Sequence, residues 1–127
     1  MDPIQGLWIG DRLSPMEKIS IKSFLTYGAP YHLYCFNSIE GIPEGTVIKD
    51  ANEIIPKSFI DYKNFKYPGS FSNIFRYKLL LEKGGWWADL DTVALRQFTF
   101  SQDHVIMSED GDRNGNAWRI CCGVIKA

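Results

Sequence analysis

Two aspartates one residue apart, in Asp89-Leu90-Asp91, are the side chains whose type and spacing best suit chemistry. Alternate residues on an extended segment point to one side, so the spacing predicts two carboxylates facing a common site. Carboxylates that close repel and shift each other's pKa, an arrangement that favours a divalent cation between them. Oxygen-only ligation suits Mg²⁺ or Mn²⁺, which share their coordination with substrate phosphates. A D-x-D pair alone also describes a solvated strand edge, so its surroundings decide.

Those surroundings are well marked. Pro68-Gly69-Ser70 opens a helix over Phe71 to Lys83, ended by Gly84-Gly85. At 100° per residue Phe71, Ile74, Phe75, Leu79 and Leu81 share one apolar sector, while Asn73 and Arg76 lie opposite it, one turn apart and flanking Leu80. A helix this apolar is expected to be covered on most sides, so the polar pair needs a partner. After the glycines, Trp86-Trp87-Ala88 enters a strand that leads into the aspartates.

The N-terminal third must supply the rest of the scaffold. Ile4 to Gly10 reads as a buried strand ended by glycine. Ser14 at the N-cap, Pro15 at the first helical position and Glu17 three residues after the cap form a capping box. Met16, Ile19, Phe24 and Leu25 supply that helix's apolar face, and Gly28 closes it. Tyr31 to Phe36 is a second strand, and strand, helix, strand in about 33 residues is the βαβ signature of a parallel sheet. Val47 to Lys49 is a third short strand, followed by a helical turn over Ala51 to Ile55 stopped by Pro56. Lys57 to Pro68 is read as irregular, Val105 to Met107 and Ile120 to Ile125 as two more strands, and Ser108 to Asn116 as the polar loop between them.

Length and composition bound the reading. The 127 residues allow one domain and one core, here taken as 1–127. A net charge of −1 excludes a strongly basic nucleic-acid binder, and 14% aromatic residues exclude intrinsic disorder. No apolar run approaches a membrane span, and the start Met1-Asp2-Pro3-Ile4 has no basic or apolar leader, so no transmembrane segment and no signal peptide are expected. Cys35, Cys121 and Cys122 are an odd count without CxxC spacing; they are expected as buried free thiols in a reducing, cytoplasmic setting.

The run from Ser72 through Arg76-Tyr77 and Gly84-Gly85 to Asp89-Leu90-Asp91 resembles the central signature of the DXD-containing sugar transferases. That superfamily includes yeast initiating mannosyltransferases, bacterial capsular-polysaccharide transferases and the large clostridial glucosylating toxins. Leu7-Trp8-Ile9-Gly10 is similar to the superfamily's first strand. The resemblance implies a GT-A nucleotide-diphospho-sugar transferase fold, an α/β, Rossmann-like, three-layer domain on a mainly parallel sheet. It further implies metal-dependent transfer of a sugar, with retention, from a UDP- or GDP-sugar to a carbohydrate or other hydroxyl acceptor. Within it Trp8 stacks on the base while the Leu7 and Trp8 backbone reads the base edge. Asn73, Arg76 and Tyr77 fall among the donor-binding positions, with Arg76 meeting phosphate oxygens in pairs. Asp89 takes ribose or sugar hydroxyls, Asp91 holds the Mn²⁺ or Mg²⁺, and Asp89, Asp91 and Arg76 form the catalytic set.

Two departures stand out. Asn73 replaces the family's usual Asp, and Trp87 stands where Tyr is common. Family members also continue past the point where this chain stops, at Ala127, so a C-terminally truncated or donor-binding part of a longer fold is expected. Three other readings compete. Asp89-Leu90-Asp91-Thr92-Val93 also fits the nucleophile motif of haloacid-dehalogenase-like phosphatases, with Asp89 attacking phosphorus and Asp91 as acid/base. A non-catalytic nucleotide-sugar-binding module is another. Asp110-Gly111-Asp112-Arg113-Asn114-Gly115 matches half a calcium loop, but Cys121 stands where the bidentate Glu belongs.

Overall fold

Ser14 is extended, at φ −78° and ψ 170°, and its N–H donates to Glu17 Oε2 at 2.6 Å, so the first helix begins where its capping residues place it. This is α1, Pro15–Thr26, and it stops as Gly28 turns into the left-handed region at φ 79°. It links β1, Ile4–Leu7, to β2, Tyr31–Cys35, which pair in parallel with Ile4 opposite Tyr31 and Leu7 opposite Tyr34. The computed structural model describes residues 1–60, 68–110 and 118–127. The irregular stretch from 61 to 67 and the calcium-like motif beyond Asp110 therefore lie outside the described residues.

β3, Val47–Asp50, adds in parallel beyond β2 and runs into a 3-10 turn at Ala51–Glu53; another such turn spans Lys57–Phe59. The long helix α2, Pro68–Lys83, then carries the chain to the other side of β1, where β4, Trp86–Ala88, pairs with it in parallel. Gly84 and Gly85, at φ 64° and 85°, make that reversal in a conformation L side chains rarely adopt. β5, Val105–Asp110, and β6, Trp118–Lys126, complete a six-stranded sheet in the order β3-β2-β1-β4-β6-β5. The first four strands are parallel and β6 is antiparallel to both its neighbours. The result is a mixed α/β sheet compatible with a Rossmann-like glycosyltransferase fold.

Alternation along the strands divides the core. Ile4, Tyr31, Leu33, Trp86 and Ala88 face α1 with Ile21 and Phe24, whereas Leu7, Tyr34 and Trp87 face α2 with Phe71, Phe75 and Leu79. The sheet is thus sandwiched between two helical layers. Among the described residues no helix is long and apolar enough to cross a membrane.

Several expectations need correction. β1 ends at Leu7 rather than Gly10; beyond it the Trp8 Nε1 donates to Arg12 O at 3.0 Å, tying the ring to the loop that follows. On α1, Met16 and Ile19 are exposed, and the buried face is Glu17, Ser20, Ile21 and Phe24. Its polar members are satisfied: Ser20 Oγ donates to Thr92 O at 2.6 Å, and the neighbouring Ser23 Oγ accepts from Ala94 N–H at 2.8 Å. On α2, Ile74 and Leu81 are exposed at 48% and 86%, while Arg76 and Leu80 are buried. One sheet covers one side of this helix, and the guanidinium occupies part of the covered side. Of the cysteines only Cys35 is buried; Cys121 and Cys122 are half-buried, and all three are free.

Parallel pairing of β1 with β4 brings their carboxyl ends to one edge of the sheet. β2 lies on one side of β1 and β4 on the other, so the connections diverge at this point. That is where open α/β sheets leave a crevice for ligands.

Candidate active site at the carboxyl edge of the sheet

The crevice is a cleft of about 600 Å³. Leu7 and Trp8 at the end of β1, Ser72, Asn73 and Arg76 on α2, and Trp87, Asp89 and Asp91 at the end of β4 all line it. A second cavity of about 440 Å³ shares Asn73, Arg76, Asp89 and Asp91 and extends to Thr92, Glu109 and the middle of β6.

Asp89 is the hub. Its Oδ1 accepts from Arg76 Nη2 at 2.8 Å and from Trp87 Nε1 at 2.7 Å. Arg76 Nη1 donates in turn to Asn73 Oδ1 at 3.2 Å, and the guanidinium carbon lies 5.1 Å from the Trp87 ring centroid. Arg76 is only 4% exposed, so the Asp89 carboxylate and the indole face together make its burial tolerable. Its Nε finds no hydrogen-bond partner among the described residues. Asn73 and Arg76 thus act as the pair that their one-turn spacing predicts, although only Asn73 is exposed.

Asp89 and Asp91 do not lie on a strand. Pairing stops at Ala88, and Thr92 N–H donates to Asp89 O at 2.9 Å, closing a turn over 89–92. Both carboxylates still line the same two cavities, with Asp89 half-buried and Asp91 exposed. Asp91 has no hydrogen-bond or ion-pair partner among the described residues. Nor do three His, Cys, Asp or Glu side chains come together there to hold a metal unaided. The donor set nevertheless fits Mg²⁺ or Mn²⁺, ions that take one or two carboxylates and draw their other ligands from phosphate and water. Asp91 is the free carboxylate for that purpose, since Asp89 Oδ1 already accepts two hydrogen bonds.

Trp8 is half-buried and borders the cleft with Leu7. Its backbone N–H donates to Tyr34 O at 3.0 Å, so that amide extends the sheet and is not free to read a base edge, as the resemblance had suggested. Tyr77 lines neither cavity: it sits outside them with Arg76 6.0 Å from its ring centroid, and its hydrogen bond to Cys122 chiefly raises the phenol's pKa.

Sequence reasoning missed several contributors. Trp87 registers there only as a departure from a pattern, yet its indole anchors Asp89. Gly69, Ser70 and Ser72 at the start of α2, and the capping Glu17, also line the cleft. Beneath the site lies Tyr31, whose hydroxyl is fully buried without a hydrogen-bond partner among the described residues. A Cβ at Gly6 would meet that hydroxyl at 2.6 Å, so only glycine lets the phenol cross β1. Burial above all, and then the Asp89 charge, push the Tyr31 pKa well above its ordinary value near 10.

Residues 17–112 match the family described as glycosyltransferase sugar-binding region containing DXD motif. No curated protein and no solved structure matches the chain.

Proposed function

The chain belongs to the family of glycosyltransferase sugar-binding regions containing a DXD motif, and on that premise we propose that it is a metal-dependent glycosyltransferase of GT-A type. In this reading residues 1–127 are one donor-binding domain. It transfers a sugar from a UDP- or GDP-sugar to a carbohydrate or other hydroxyl acceptor, with Mn²⁺ or Mg²⁺ as cofactor. Retention of configuration, and kinship with the mannosyltransferase, capsular and toxin branches, rest on the sequence resemblance alone.

The observation that carries the reading is the charge inventory of the cleft. Its described lining holds one cation, Arg76, which is already bonded to Asp89, alongside the carboxylates of Glu17, Asp89 and Asp91. A diphosphate adds negative charge to a site already rich in it. A divalent ion held by Asp91 resolves the imbalance, and when bound it supplies charge neutralisation for the leaving diphosphate. The chain's own residues do the rest. Trp8 offers its indole to the base. Asp89, fixed by Arg76 and Trp87, accepts from ribose or sugar hydroxyls, and Asn73 adds a neutral donor and acceptor beside it. Arg76, buried in the cleft wall, holds Asp89 and Asn73 in place and adds its positive charge beside the phosphates, where charge develops on bond breaking.

The test is calorimetric titration against a panel of UDP- and GDP-sugars in Mn²⁺ and in EDTA, followed by assay for released nucleoside diphosphate. Metal-dependent binding with turnover is expected. Binding without turnover would make the domain a non-catalytic binder, and phosphate release from a simple phosphomonoester would favour the hydrolase alternative.

A further inference from the structure

Gly123 stands in the middle of β6, where a glycine has no side chain to pack and more backbone freedom to lose than any other residue. Its φ is not among the positive values that the chain's turn glycines adopt, so conformation does not explain it. Close approach does. A Cβ at this position would lie 3.2 Å from Asp89 Oδ2 and 3.4 Å from Cys121 Sγ.

The backbone around Gly123 is shaped for that approach. The β5–β6 register jumps from Ile106 opposite Ile125 to Met107 opposite Cys121, leaving 122–124 without counterparts on β5. Such a bulge re-aims the chain locally. On its other side β6 receives the Asp89 N–H on Gly123 O at 2.7 Å, directly where β4 gives way to the aspartate turn. The Asp89 carboxylate has little room to yield, because Arg76 and Trp87 hold its Oδ1 from two directions. Oδ2 accepts no hydrogen bond among the described residues, and both Asp89 and Gly123 border the second cavity.

We infer that Gly123 is a positioning residue for substrate recognition: its missing side chain keeps Asp89 Oδ2 in place and open to a ligand hydroxyl. The inference deepens the donor-site reading above and rests on it for the identity of the ligand. It also moves part of the site beyond residues 17–112, onto a strand that the family match does not include. Specificity for a hydroxyl then depends on the β6 bulge as well as on the D-x-D turn.

The experiment is Gly123→Ala in ¹⁵N-labelled protein, with the Trp87 indole resonance assigned by its disappearance in Trp87→Phe. The expected result is a melting temperature equal to or above wild type, a displaced Trp87 indole resonance, and about tenfold weaker binding of the UDP- or GDP-sugar that wild type binds in Mn²⁺, the scale of one hydrogen bond to a charged group. A parallel loss for the nucleoside diphosphate alone assigns the hydroxyl to ribose; a loss confined to the nucleotide sugar assigns it to the sugar. An unshifted indole resonance and wild-type affinity in folded Gly123→Ala would overturn the inference. Should Gly123→Ala melt early, the same substitution in an Asp89→Ala background must lose less stability; an equal loss there also overturns it. If wild type binds no nucleotide sugar, the donor-site reading fails, and the indole resonance alone still decides whether Gly123 positions Asp89.

Discussion

Trp87 Nε1 donates a 2.7 Å hydrogen bond to Asp89 Oδ1, two residues along the chain, from a ring only 2% exposed. Arg76 holds the same oxygen from the other side at 2.8 Å. Trp87→Phe keeps most of the ring in the α2-side core and removes one of the two donors. Hydrogen bonds to charged groups contribute about 1.5–3 kcal/mol, so nucleotide-sugar affinity is expected to fall at least tenfold. Calorimetry beside a thermal melt checks this; a melt that collapses in step with affinity would show that the indole serves the core alone.

Asp91→Asn keeps the side-chain shape and removes the charge from an exposed residue with no bonded partner among the described residues. Stability is expected to stay within about 0.5 kcal/mol. The difference in donor affinity between Mn²⁺ and EDTA is expected to vanish. Equal affinity in Mn²⁺ and EDTA for the unmodified protein would remove Asp91 from any metal role.

Trp8→Ala tests the base platform. The indole is half-buried beside the cleft and tethered through Nε1 to Arg12 O at 3.0 Å, so some stability is lost with it. Nucleotide binding should weaken further, by about 1–3 kcal/mol if stacking here has its usual strength. Titration of UDP and GDP against folded mutant decides; unchanged affinity returns Trp8 to a packing role.

Tyr31 gives the fold a dependence on alkaline pH. Its folded pKa is raised, first by burial and then by the Asp89 charge, so the native state keeps the phenol protonated where the unfolded chain would release the proton. The associated stability is complete below pH 10 and declines as pH rises above it. Tyr31→Phe removes the titration and a buried hydroxyl that has no hydrogen-bond partner among the described residues. Its stability near neutrality should match or exceed wild type, and its loss between pH 9 and pH 11 should be shallower. Denaturant melts across that range test both; parallel curves for the two proteins would refute the account.

What could be read from sequence was what depends on neighbours in the chain. The capping box of α1, the glycine pair after α2 and the one-turn spacing of Asn73 and Arg76 are local signals, and the structure keeps them. The alternation argument for Asp89 and Asp91 was sound geometry applied one step too far along. The strand ends at Ala88; one further backbone bond, Asp89 N–H to Gly123 O, keeps Asp89 on the side of Trp87, while a turn presents Asp91. Ile74 and Leu81 were misjudged because hydrophobicity alone says nothing of how many layers cover a helix. Tyr31 and Gly123 were out of reach for another reason: each meets the site from a strand distant in sequence, through a register no local pattern encodes.

The order of strands at the antiparallel end also governs the sequence of events by which the site comes into being. β6 follows β5 along the chain yet lies inside it in the sheet, between β5 and β4. β5 thus reaches the parallel strands only through β6, whose junction with β4 is made by contacts such as Ala88 with Val124. Long-range pairings of this kind form late because loop closure must precede their reward. A nascent chain can thus carry its β1–β4 core, its arginine and both aspartates while the Asp89 N–H still awaits Gly123 O. The D-x-D turn acquires its final shape only when β6 docks on β4.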